Sequence, residues 1–143
     1  MLYHRWTFSW CTWLSSRQEA GAHMTSIDFL MIGIGGFFGA IIRYVISISV
    51  NRSGVIPRGT LVVNLAGALL IGFVFGMEMP RMWTLLVASG LAGALTTFST
   101  MNKELIELWR NDEKKHAVNY LLYTYGGGLA LVVVGYVVGG SLQ

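Results

Sequence analysis

Four long stretches of this chain carry almost no charge, and nothing else in the sequence restricts the fold so strongly. Residues 29–50 are interrupted only by Arg43, residues 60–77 make a run of 18 without charge, residues 82–102 one of 21, and residues 117–143 one of 27. At 1.5 Å per helical residue, about 20 residues cross a hydrocarbon core of about 30 Å. Lipid offers the backbone no hydrogen bonds, so such segments cross as helices. The connections are short: residues 51–59 with Pro57, residues 78–81 with Pro80, and a charged run over 103–115, with the last helix beginning near His116. This pattern predicts an all-α integral membrane protein, a compact bundle of four transmembrane helices.

Composition narrows the function. The chain is 54% hydrophobic and 12% charged, with a net charge of +3. The basic residues lie between the apolar runs instead of forming a patch, as membrane-flanking charge does, so no nucleic-acid partner is expected. Cys11 is the only cysteine, which rules out an internal disulfide and a cysteine-built metal site. His4, His23 and His116 fall outside the spans, and no Ser/His/Asp set or phosphate loop can be assembled. These features exclude the common enzyme classes. Asp28, Glu78, Glu104 and Glu107 fall at or beyond the span ends, leaving no carboxylate at depth for a proton-coupled exchanger.

Residues 1–23 stand apart from this design. They hold three of the five tryptophans and lack an apolar run of signal-peptide length. They read as a non-domain N-terminal extension, or as an interfacial anchor, with a four-helix transmembrane domain over residues 24–143.

The third span holds the chemistry. Gly90-Leu-Ala-Gly93-Ala-Leu-Thr96-Thr97-Phe98-Ser99-Thr100 places glycine and hydroxyl residues that suit an unwound backbone in the middle of an uncharged segment. The third helix is therefore predicted to break mid-membrane, which is tolerated only against protein or a polar cavity. Carbonyls freed around Gly93, Thr96 and Thr97 suit a cation. Ser99 and Thr100 either face the cavity or bond back to their own helix. Phe98 is either core packing or a ring whose positive edge meets an anion. Asn64, one turn into the second span, either offers its N–H groups to a small anion or ties two helices together. Arg43 is costly in lipid; it snorkels or holds a neighbouring helix end, a structural role.

Small residues one turn apart, Gly35 and Gly39, Gly72 and Gly76, Gly135 and Gly139, predict close helix approach. Trp83, Trp109, Tyr120 and Tyr136 lie near span ends, where amphipathic rings favour the interface.

Three motifs in these spans resemble the Fluc (CrcB) family of fluoride channels. They are Gly36-Phe-Phe-Gly39-Ala-Ile-Ile-Arg43-Tyr44, Gly59-Thr60-Leu61-Val-Val-Asn64-Leu-Ala-Gly67, and the third-helix break itself. The resemblance covers the chain from about Met24 and implies an antiparallel, dual-topology dimer with two narrow fluoride pores at the subunit interface. It implies a structural Na⁺ at the dimer centre, held by the main-chain carbonyls of Gly93 and Thr96. The pathway it implies passes Asn64 and Phe98, with Tyr120 and Thr124 on a polar track along the fourth helix. The family's usual second phenylalanine is Met101 here. If helix resumes after the break, Phe98 and Met101 share a face, and the pathway runs past both, with Ser99 and Thr100 beside it.

The implied task is passive export of cytoplasmic fluoride across a prokaryotic plasma membrane, with lipid and a second subunit as partners. A small four-span multidrug/proton exporter and a non-transporting assembly subunit are the alternatives. Arg52, Arg58, Lys103, Arg110, Lys114 and Lys115 flank one side, against Arg81 on the other, with Arg5 and Arg17 added if the extension is made. That bias makes the first set cytoplasmic. An antiparallel pair then needs either dual insertion as a homodimer or a heterodimer with an oppositely oriented paralogue.

Overall fold

The computed structural model describes residues 24–50 and 57–142. The N-terminal extension expected over residues 1–23 lies outside the described residues. Among those described run four helices long and apolar enough to cross a membrane: α1 (Ser26–Val50), α2 (Arg58–Gly76), α3 (Arg81–Arg110) and α4 (Lys114–Gly140). Pro57 and Pro80 directly precede α2 and α3. Proline suits a helix start because it fixes φ and surrenders only an N–H that has no intrahelical acceptor. Glu78 (φ 44°) and Asp112 (φ 61°) take the left-handed conformation that turns the chain after α2 and α3.

The third helix is interrupted, as its sequence predicts, and is more irregular than predicted. It begins as α-helix at Arg81–Thr84, widens into a π-helical stretch at Leu85–Ala92, returns to α-helix at Gly93–Leu95, and stops at Thr96 and Thr97. Helix then resumes over Phe98–Arg110. The charged run expected to be a connection is thus mostly helix, and the turn into α4 is residues 111–113 only. Met101, Leu105 and Leu108 recur at helical spacing and pack into the bundle, leaving Lys103, Glu107 and Arg110 exposed. At 30 residues α3 spans about 45 Å, so its last turns project beyond the hydrocarbon.

Two helix pairs make the bundle, and glycine decides how each packs. α2 and α4 approach until their backbones touch. A Cβ on Gly72 or Gly76 would collide with the carbonyl of Val132 or Tyr136, and one on Gly135 or Gly139 with the carbonyl of Leu69 or Phe73. α1 meets the first half of α3 the same way, Gly35 against the Leu86 carbonyl and Gly39 against the Leu91 carbonyl. Such close approach gives lipid-embedded helices the van der Waals contact that must replace a hydrophobic drive. At the start of α1, the buried Asp28 accepts from Arg81 (2.8 Å) and from the Thr25 amide (3.0 Å), joining the first turns of α1 and α3. Most of the α1 and α4 surface remains exposed and apolar.

Candidate functional site

The break is built by one exchange of hydrogen bonds. In an unbroken helix the Thr97 amide would donate to the Gly93 carbonyl; here it donates to Asn64 Oδ1 (2.8 Å). Asn64 Nδ2 in turn lies 3.4 Å from the Thr97 carbonyl. The α2 carboxamide therefore clamps both polar groups of one extended residue in α3. Its Oδ1 is consumed, which fixes the amide orientation and leaves one Nδ2–H to offer. Gly67, one turn further along α2, leaves the space that the Thr96 methyl occupies; a Cβ there would overlap it.

The freed carbonyls follow directly. Thr96 is extended (ψ 155°) and its carbonyl accepts no hydrogen bond among the described residues. Gly93 keeps helical dihedrals, yet its carbonyl receives only the Thr96 hydroxyl, at 3.4 Å. Two under-satisfied carbonyls one turn apart at mid-membrane depth are the donor set that fits a bare monovalent cation.

After the break the helix is capped by Thr97. Its Oγ1 accepts from the Thr100 amide (3.3 Å) and donates to Thr100 Oγ1 (2.9 Å), with Ser99 Oγ 3.5 Å away. Ser99 and Thr100 are exposed and belong to this cap, not to back-bonds of their own helix. Phe98, the first residue of the resumed helix, is 67% exposed, so its ring is not core packing within the subunit. Met101 is 3% exposed and sits among Leu108, Ala117 and Tyr120. The two side chains expected on one face thus separate within the subunit: Phe98 is exposed and Met101 is buried.

Arg43 lines a cavity of about 440 Å³ between α1, α2 and the break. Tyr44, Ser47, Thr60, Thr97, Ser99 and Thr100 share its wall, and no carboxylate does. Arg43 makes no ion pair among the described residues, so it neither ties down a neighbouring carboxylate nor loses its charge to one. A second, wider cavity follows one face of the resumed helix, past Ser99, Asn102, Lys103, Glu107 and Arg110. Polar side chains recur along that face from the break to Asn111, interrupted by Ile106.

The sequence reading missed one cluster. Glu104, expected at or beyond a span end, is half-buried between α2 and α4, where it accepts from Thr60 Oγ1 (2.7 Å) and Tyr120 Oη (2.8 Å). Tyr120 is fully buried, so it is an internal donor and not an interfacial anchor, whereas Trp83, Trp109 and Tyr136 are exposed as expected. The available signal was register: Glu104 falls between Met101 and Leu108, both buried on the same helix. Thr124, expected on the same track as Tyr120, donates to the Tyr120 carbonyl (2.8 Å) in its own helix.

These features define a class, a multi-pass membrane protein with a hydroxyl-capped helix break opening into polar cavities. Residues 30–136 match the family described as CrcB-like protein, Camphor Resistance (CrcB). The chain belongs to that family. It is 40% identical to the protein named "Fluoride-specific ion channel FluC 2" of Lactobacillus acidophilus, over 77% of this chain and 95% of that one. It is 42% identical to "Fluoride-specific ion channel FluC 1" of Geobacillus kaustophilus, over 77% and 96%. Identity to "Fluoride-specific ion channel FluC" of Methanococcus aeolicus is 40%, over 76% and 91%.

Proposed function

We propose that this protein is a fluoride channel whose conducting path passes the break in α3. The observation that carries this reading is the Asn64–Thr97 clamp, which opens a helix at mid-membrane and leaves Phe98, Ser99 and Thr100 exposed beside it. The relatives' names supply the ion; the break supplies the chemistry. Fluoride is small and strongly hydrated, so a path must replace its water with donors and positive ring edges. The remaining Asn64 N–H, the Ser99 and Thr100 hydroxyls and the Phe98 ring edge are such groups. Arg43 and the polar face of α3 attract the anion toward them. Tyr120 and Thr124 stand further along α4, and their hydroxyls extend the track only if they exchange their present acceptors for the anion. Met101 acts by packing the helix that carries Phe98.

The working unit in this reading is an antiparallel dimer, because a single subunit leaves Phe98 and the polar faces without an opposing wall. The Gly93 and Thr96 carbonyls of the two subunits would hold a Na⁺, which supplies the positive charge that satisfies carbonyls no amide reaches. Whether the second subunit is an identical chain or a paralogue follows from insertion: a single orientation seen in reporter fusions at the C-terminus requires a paralogue.

Phe98→Ile tests the path. It keeps apolar bulk and removes the ring edge at an exposed position, so folding and assembly should persist while fluoride flux from liposomes is abolished. Near-normal flux per folded protein in Phe98→Ile would remove Phe98, and with it the path, from the account.

A further inference from the structure

A groove across the α3–α4 joint shares only Ile106 with the cavities described above. It encloses about 330 Å³ and its wall is almost wholly apolar: Leu105, Ile106 and Trp109 from α3, and Val118, Leu121 and Leu122 from α4. Val118 and Leu122 lie two residues either side of Tyr120, hence on the far side of the helix from it. Ile106, Trp109, Val118 and Leu122 are each about half exposed or more, so the groove is open along its length.

The groove has a direction. Leu121 and Leu122 lie two turns into α4, toward the membrane interior, while Trp109 and the start of α4 lie at the surface end. There Lys114 Nζ stands 5.9 Å over the Trp109 ring, and Lys115 and Arg110 are the next residues along the two helices. Two carboxylates share this turn, and both are engaged: Asp112 with Lys114 at 3.2 Å and Glu113 with His116 at 2.7 Å. Lys115 and Arg110 make no ion pair among the described residues, which leaves the mouth net positive. An apolar slot with a cationic, tryptophan-rimmed mouth at the membrane surface is complementary to one kind of amphiphile.

We propose that this groove binds an anionic phospholipid, with one acyl chain against Leu105, Ile106, Val118 and Leu122 and the phosphate at Lys114 and Lys115. In the orientation that the charge bias of the loops favours, this mouth faces the cytoplasmic leaflet, which carries anionic lipid. The bound chain would wedge the resumed half of α3 against α4, the contact that holds Glu104 to Tyr120.

Native mass spectrometry of the full-length protein, titrated with phosphatidylglycerol or with phosphatidylcholine of the same acyl chains, tests this. The wild type should retain phosphatidylglycerol in preference. Each lysine at a membrane surface is worth about a fivefold change in affinity for anionic lipid, so K114Q/K115Q should lose most of that preference. R58Q, which removes a cation at the start of α2 that does not line the groove, should keep it. V118W fills the slot from an exposed position and should weaken both lipids. Equal retention of the two lipids by the wild type would overturn the proposal, as would an equal loss in R58Q. So would a V118W protein that binds lipid normally but changes its subunit number, since the slot would then be a contact between copies.

Discussion

Asn64 shows how much one side chain can decide. By taking the Thr97 amide it removes the donor that would have closed the Gly93 carbonyl, so the break is a property of α2 as much as of α3. Asn64→Asp keeps the acceptor but puts a carboxylate against the Thr97 carbonyl and removes the remaining N–H. The variant should lose about 1–3 kcal/mol of stability, measured by denaturation in detergent, and should not conduct. Retained conduction in Asn64→Asp would show that no amide donor is needed. Met101→Phe acts on a buried residue. Stability should fall by up to about 1–3 kcal/mol for overpacking, with flux per folded protein unchanged; a specific loss of flux would place Met101 on the path. The asparagine's two possible uses were both legible in the sequence, but its partner was not. Nothing local to residue 64 says which backbone, 33 residues away, it will meet.

At the scale of elements, the paired glycine motifs were read correctly because they depend on spacing alone. Gly72 and Gly76 against Gly135 and Gly139 let α2 and α4 interlock through their carbonyls. Gly72→Leu must push α4 away and should cost at least about 3 kcal/mol in unfolding assays. Gly126→Ala, where nothing lies within 4 Å, should be neutral or slightly stabilising from helix propensity. Equal costs at the two sites would refute the close-packing explanation. The misread element was the second half of α3. Its charges suggested a loop, yet Met101, Leu105 and Leu108 give it a buried face, and α3 is long enough to carry charge beyond the hydrocarbon. The π-helical stretch at Leu85–Ala92, which packs against the α1 glycines, had no sequence signal.

For the molecule as a whole, the four-span membrane bundle was legible from the uncharged runs, because lipid permits so few alternatives. Assembly is a different matter, and two expectations belong to it. A Cβ on Gly93 meets nothing closer than the Ala88 carbonyl at 3.8 Å, so Gly93→Leu should fold as a subunit. It should nevertheless fail to dimerise in size-exclusion chromatography if two breaks meet at a shared Na⁺; a stable, active Gly93→Leu dimer would exclude that arrangement. Exchange of Na⁺ for a large organic cation should likewise lower the melting temperature of the assembly, and an unchanged melt would count against a structural ion. The central claim, however, is fluoride conduction, and one measurement meets it head on. Purified full-length protein in liposomes loaded with fluoride, or separately with chloride, is diluted into ion-free medium and efflux is followed with ion-selective electrodes. The account predicts rapid, passive loss of fluoride with chloride retained; efflux of fluoride no faster than from protein-free liposomes, or equal efflux of both ions, would contradict it.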